Sequence, residues 1–254
     1  MKVRILGSGT SSGVPRIGND WGACDPAEPR NRRTRVSLLV ETAKARILVD
    51  TTPDMREQLL AAGVSDVDAV IWTHDHADHC HGIDDLRQIF HIKGGPVRGL
   101  ARPATLASLD ERFGYVFRGR DGYPPSVAGE TLPDRLVIGD VTIRVVDQPH
   151  GSIDSAGLRF EADGKSVGYA TDFSAMTPEM TTFYRGVDLW IADALRRRPH
   201  PTHATLDDVV GWAGELGVGH TALIHMDHSM DYATLAAELP PHVEPGYDGQ
   251  EFAL

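Results

Sequence analysis

The chain has only two cysteines in 254 residues, Cys24 and Cys80. Two thiols cannot build the disulfide framework of a small secreted scaffold, so the fold must rest on packing. No apolar run approaches the roughly 20 residues that cross a bilayer. The opening stretch MKVRILGSGTSSGVP turns glycine-rich after one short apolar run and lacks the apolar centre of a signal peptide. A cytoplasmic protein without membrane contact is the expectation. Positive charge is also in short supply. Lys and Arg number 25 against 36 Asp and Glu, a formal net charge of -11. Broad capture of nucleic acid needs cations that meet phosphates, so nucleic acid is not the expected partner. A small anionic substrate is compatible with this balance, because bound divalent cations reverse the local field.

What is present is ordinary for a globular chain: 41% apolar and 24% charged residues. One domain spanning residues 1–254 is expected. Lys2–Leu6 reads as a strand that opens into the loop GSGTSSGVP. Val36–Thr42 and Arg46–Asp50 read as paired strands. Thr52-Pro53 looks like an N-cap with proline at the first helical position, for a helix that ends at Gly63. Asp68–Trp72 is a short apolar strand. Helices are expected over Ile83–Phe90 and Ala104–Glu111, with a strand near Val97–Leu100 between them. Gly114–Gly129, rich in glycine and proline, reads as a mobile loop over a site. Strands follow at Leu136–Ile138, Val141–Val146, Ala156–Ala162 and Ser166–Ala170, with turns at Gly139-Asp140 and Asp163-Gly164. Val187–Ala192 and Thr221–Ile224 are continuous apolar strands, and Thr205-Leu-Asp-Asp opens a helix with a capping box. Two sheets faced by helices fit this order.

The chemistry is concentrated in Thr73-His74-Asp75-His76-Ala77-Asp78-His79, which begins where an apolar strand ends. Side chains at i and i+2 share a face in extended chain, so His74 and His76 can meet one cation. Asp78 and His79 follow a turn and point toward a second. Imidazole with carboxylate suits zinc and also manganese or iron. A polar helix start would also account for such a run, but three more groups argue otherwise. His150, Asp172 and His225 each follow an apolar strand, so four strand ends deliver metal-capable groups to one edge.

The run His74-x-His76-x-Asp78-His79, with His150, Asp172 and His225 in that order, resembles the signature of the metallo-β-lactamase superfamily. The resemblance covers nearly the whole chain and implies a four-layer αββα sandwich, an α+β fold. It implies two divalent cations, zinc or manganese. His74, His76 and His150 would hold one; Asp78, His79 and His225 would hold the other; Asp172 would bridge them. Asp50 looks like the structural aspartate behind the site. The loop Leu6–Pro15 resembles those of the tRNA 3′-processing endonucleases and of the PhnP phosphodiesterases. Pro29–Arg35 and the segment Asp193 to Leu206 resemble PhnP more, and His203 matches the extra histidine those enzymes place beside the metals. PhnP relatives also carry a cysteine-rich structural zinc site. Here only Cys24 and His228 match it, too few for a closed tetrahedral site. Packing and salt bridges of Arg30–Arg35 are expected to hold that segment instead.

The implied activity is hydrolysis of a small or cyclic phosphodiester, such as a ribosyl cyclic phosphate. A water between two cations is acidified toward neutral pH and attacks as hydroxide. Asp78 would orient that nucleophile, and His203 would protonate the leaving oxygen or clamp the phosphate. Arg196, Arg197 and Arg198 read as a solvated face, with a second phosphate as the alternative. A small phosphorylated substrate is the expected partner, and the resemblance alone suggests a homodimer. An RNA-processing endonuclease and a lactone or thioester hydrolase are the alternative activities.

Overall fold

The computed structural model describes residues 1–254. One sheet contains β1 (Lys2–Gly7), β2 (Ser37–Glu41), β3 (Arg46–Val49), β4 (Ala69–Trp72), β5 (Val97–Ala101) and β6 (Val127–Thr131). The other contains β7 (Arg135–Ile138), β8 (Val141–His150), β9 (Ile153–Ala162), β10 (Lys165–Ala170), β11 (Leu189–Asp193), β12 (His220–Ile224) and β13 (Val243–Pro245). The last strand, β14 (Glu251–Ala253), returns to pair with β1, so the first sheet runs β14-β1-β2-β3-β4-β5-β6. The second runs β13-β12-β11-β10-β9-β8-β7.

The layering follows from alternation along the buried strands. In β4, Ala69 and Ile71 face the second sheet, while Val70 and Trp72 face helices. In β11, Leu189 and Ile191 face the first sheet, while Trp190 and Ala192 face the other helices. Both strands are apolar throughout because both faces are covered. The outer layers are α1 (Met55–Ala62), α2 (Ala77–Cys80), α3 (Leu86–Lys93), α4 (Pro103–Arg112) and α5 (Gly114–Arg118) on one side. On the other lie α6 (Pro178–Tyr184), α7 (Leu206–Leu216) and α8 (Tyr232–Glu238). This is the αββα sandwich.

Local signals account for several boundaries. Thr205 and Asp208 form the expected capping box at the start of α7, and Gly217 closes the helix in the left-handed region. Asp163 and Gly164 both have positive φ, as a two-residue hairpin turn of the mirrored type requires.

Three expectations are corrected. α1 begins at Met55, not after Thr52-Pro53, because Thr52 Oγ1 accepts from Asp54 N–H and contacts Gln58 in a turn that precedes the helix. Ile83–Phe90 is not one helix: a 3-10 turn over Ile83–Asp85 precedes α3, which runs to Lys93. Gly114–Gly129 is not a loop over the histidines. Its first residues form α5 and its last three lie in β6, and Phe117 packs edge-on against Trp72.

The segment before β2 is held by its arginines. Arg30 pairs with Glu28 at 2.7 Å and Arg35 with Asp54 at 3.0 Å. Arg33 is buried and donates to the carbonyls of Asp227 (3.3 Å) and Met230 (2.6 Å), with Cys24 Sγ 3.8 Å away. Gly9 lies so close to Arg33 and Thr34 that a Cβ would sit 2.8 Å from the Arg33 Cβ. In the opening loop that glycine therefore serves close backbone packing.

Candidate metal centre

In the second sheet β10, β11 and β12 are mutually parallel, and β8 runs the same way because β9 is antiparallel to both β8 and β10. In the first sheet β3 and β4 are parallel. Their carboxyl ends supply Asp50 after β3, His74 after β4, His150 at the end of β8, Asp172 after β10, Asp193 at the end of β11 and His225 after β12. Asp50, Asp172 and His225 have φ of 64°, 50° and 57°. Left-handed backbone costs an L-residue on the order of 1–3 kcal/mol, and it concentrates where function over-determines the conformation. Three strand ends turn through this conformation at one place, which marks a built site.

All seven residues expected as ligands lie in this place, in two of three overlapping groups; the third joins Asp172 and His225 to Asp193 and His203. His74, His76, His150 and Asp172 form one group, and Asp78, His79 and His225 another; within each group the ligand atoms lie within 4.8 Å of one another. Asp172 faces both. Its Oδ2 is 3.7 Å from His74 Nε2 and 3.6 Å from His150 Nε2. Its Oδ1 is 3.2 Å from His79 Nε2 and 3.6 Å from His225 Nε2. Asp78 Oδ2 is 3.4 Å and 3.5 Å from the same two nitrogens. Ligands at about 2.0–2.1 Å from a tetrahedral cation sit about 3.3 Å apart, so these spacings fit. The buried Nε2 atoms of His74, His79 and His225 have no hydrogen-bond partner, which suits lone pairs aimed at cations. His76 is exposed and lies on the solvent side.

Behind the ligands, hydrogen bonds fix the rings. Asp50 Oδ2 meets His79 Nδ1 at 2.7 Å and accepts from Thr73 as well. Thr73 Oγ1 lies 3.0 Å from His74 Nδ1, and the Thr202 carbonyl accepts from His150 Nδ1 at 2.8 Å. Each partner engages Nδ1 and leaves Nε2 facing the cluster, where His150 Nε2 lies 3.2 Å from His76 Nδ1.

The charges are unequal. Without a cation, burial alone would push the His225 imidazole down, but Asp172, Asp193 and Asp78 outweigh it and lift it to about 9. The same contest raises His79, through Asp172, Asp78 and Asp50. Burial pushes the Asp172 carboxyl up, and His225 and His79 overcome this to hold it well below the usual range. His74 is driven down by burial and by the charge on His79.

His203 stands beside the two sets. Its ring stacks on His225 at 4.8 Å between centroids, and its Nε2 is 3.9 Å from Asp172 Oδ2. Its Nδ1 is 2.6 Å from Asp193 Oδ2. Asp193 is fully buried, and its Oδ1 is 3.6 Å from His225 Nδ1. Sequence reasoning passed over this residue as a site member. The signal was there, since Asp193 ends an apolar strand as Asp172 and His225 follow theirs. The neighbouring arginines turn to the protein: Arg196 donates to the carbonyls of Arg198 and Pro199, and Arg197 pairs with Glu238.

Residues 45–226 match the beta-lactamase superfamily domain. The chain belongs to the metallo-β-lactamase superfamily. Within that superfamily it belongs to the PhnP family: a solved diphosphatase of that family superposes with a TM-score of 0.90 at 36% identity, over 99% of this chain and 97% of that one. An octanoyltransferase of Porphyromonas gingivalis is 36% identical over 99% of this chain but only 51% of its own length. A ribonuclease Z of Methanopyrus kandleri is 28% identical over 49% of this chain and 43% of its own. The chain spans about half the length of the curated relatives it matches. The superfamily domain of this chain carries histidine and aspartate clusters that could hold divalent metal. No helix is long and apolar enough to cross a membrane.

Proposed function

We propose that this protein is a phosphodiesterase with two divalent cations, zinc or manganese, acting on a small or cyclic phosphodiester. Residues 1–254 act as one hydrolase domain. The observation that carries the reading is Asp172, which offers one carboxylate oxygen to each of two histidine-rich sets. His74, His76 and His150 would hold one cation, Asp78, His79 and His225 the other, and Asp172 both. When bound, such a pair supplies charge to offset that developing on a phosphoryl group and acidifies a water toward neutral pH.

The remaining work belongs to side chains. Asp193 accepts the Nδ1–H of His203 and so fixes which nitrogen faces the cluster. When the His203 ring carries a second proton, on Nε2, it gives that proton to the departing oxygen. Asp78, beside His79 and His225, orients the attacking group. Membership of the PhnP family, whose solved relative is a diphosphatase, supports reaction at phosphorus.

RNA processing is the second reading, favoured by the ribonuclease Z relatives. The charge of -11 speaks against it, because gripping RNA requires basic surface. A thioester or lactone substrate has the octanoyltransferase likeness beside it, but half of that protein has no counterpart in this chain. The test is metal analysis followed by turnover of bis(p-nitrophenyl) phosphate, a 3′-extended tRNA and an acyl lactone. Phosphodiester hydrolysis that chelation removes is the expected result. Lactone turnover without phosphodiester turnover would overturn the reading.

A further inference from the structure

Beyond His203 the imidazoles continue outward. The His200 ring lies 5.0 Å from that of His203, and the His203 ring lies 4.9 Å from that of His150. His225 is buried, the His203 side chain is 10% exposed, and His200 is half-buried. The series therefore leads from the candidate metal centre to its rim.

The tautomer of His200 follows from its neighbours. Thr202 N–H donates to His200 Nδ1 at 3.3 Å, and Thr202 Oγ1 lies 3.2 Å from the same atom. A backbone N–H can only donate, so His200 Nδ1 accepts and the ring hydrogen sits on Nε2. Burial, with help from His203 and Arg196, pushes this imidazole down and keeps it neutral. No protein group pairs with Nε2. Arg196 ties down the turn that carries the ring, by bonds to the Arg198 and Pro199 carbonyls. The Thr202 carbonyl meanwhile accepts from His150 Nδ1 at 2.8 Å, so one residue fixes both a ligand of the candidate centre and the rim donor.

This is a pre-oriented, uncharged N–H donor with nothing in the protein to receive it. A phosphoryl group held beside His203 would have His200 one ring farther out, within reach of its ester substituent. We propose that His200 is a substrate-binding residue that donates from Nε2 to an oxygen of the sugar or second phosphate attached to the reacting phosphorus. It selects substrates whose substituent is rich in oxygen over those with a plain aryl group. The inference rests on the phosphodiesterase reading above.

The test compares adenosine 2′,3′-cyclic phosphate with bis(p-nitrophenyl) phosphate in wild type, His200→Ala and His200→Gln, all metal-loaded. In His200→Ala, the preference for the cyclic nucleotide, measured as a ratio of kcat/KM values, should fall roughly tenfold and through KM, as one hydrogen bond is lost. His200→Gln, whose amide can donate from the place of Nε2, should recover most of it. Equal losses on both substrates, no loss on either, or a wild type that takes only the aryl ester would overturn the role of His200 and leave the phosphodiesterase reading standing. A metal-loaded wild type inactive on both substrates would overturn both.

Discussion

The two ligand sets share Asp172 but differ in what stands behind them. The set of Asp78, His79 and His225 is backed by buried carboxylates, Asp50 at His79 and Asp193 at His225. The set of His74, His76 and His150 is backed by neutral acceptors, a threonine hydroxyl and a threonine carbonyl, and opens to solvent at His76. The carboxylate-backed set carries negative charge that protons fill in the absence of a cation. In the other set, burial already holds His74 and His150 below the usual imidazole range. The first should therefore bind its cation more strongly and with a steeper dependence on pH.

Removing the shared ligand should erase the difference. Asp172→Ala is expected to lower occupancy of both positions and to cost at least the roughly 10²–10³-fold in kcat that loss of one electrostatic stabiliser costs. Retention of both metals, read by inductively coupled plasma mass spectrometry, would break the comparison at its root. His203→Ala should do the opposite. It is expected to keep both metals and to lose turnover by about 10²–10⁴-fold, the contribution of a positioned proton donor. Unchanged phosphodiester hydrolysis would remove His203 from the proton step.

A change behind one set should be felt mainly on that side. Asp50→Asn is expected to weaken the cation of the Asp78–His79–His225 set by about 10–100-fold, as loss of an outer partner typically does. The other cation should weaken less, because Asp50 reaches His74 only through the Thr73 hydroxyl. Equal weakening in a competition titration would show that the backing does not distinguish the sets.

The pH dependence gives the finest comparison. Without a cation, His225 is lifted to about 9 and His79 is also raised, so at neutral pH both hold protons that a cation must displace. Affinity at this set should fall as pH falls below about 9, roughly tenfold per unit for each displaced proton. His74 is pushed down and has no second proton to displace at neutral pH, so the other set should respond less. Calorimetry in buffers of different ionisation enthalpy would count the protons released.

Much of this candidate site was legible in the sequence because His74, Asp172 and His225 each follow a strand whose apolar run is hard to mistake, and His76, Asp78 and His79 come soon after His74. Ala69–Trp72 before His74 and Thr221–Ile224 before His225 needed no tertiary information. Asp193 was less visible, since its place depends on which imidazoles other strands bring to it. The loop expected over the site misled for a physical reason. Its glycines and prolines do mark turns, but Phe117 finds Trp72 and the chain folds back onto the first sheet. Likewise the proline at position 53 suggested a helix start, while Asp54 was free to pair with Arg35 and delay it. The role of Thr202 rests on its backbone carbonyl, which no residue pattern reveals.

The most direct test is anomalous diffraction from crystals grown with manganese. Two peaks roughly 3.5–4 Å apart, one on each side of the Asp172 carboxylate, are expected, with the Asp78–His79–His225 position filled first at limiting metal. A single peak at saturating metal, or peaks away from Asp172, would contradict the account.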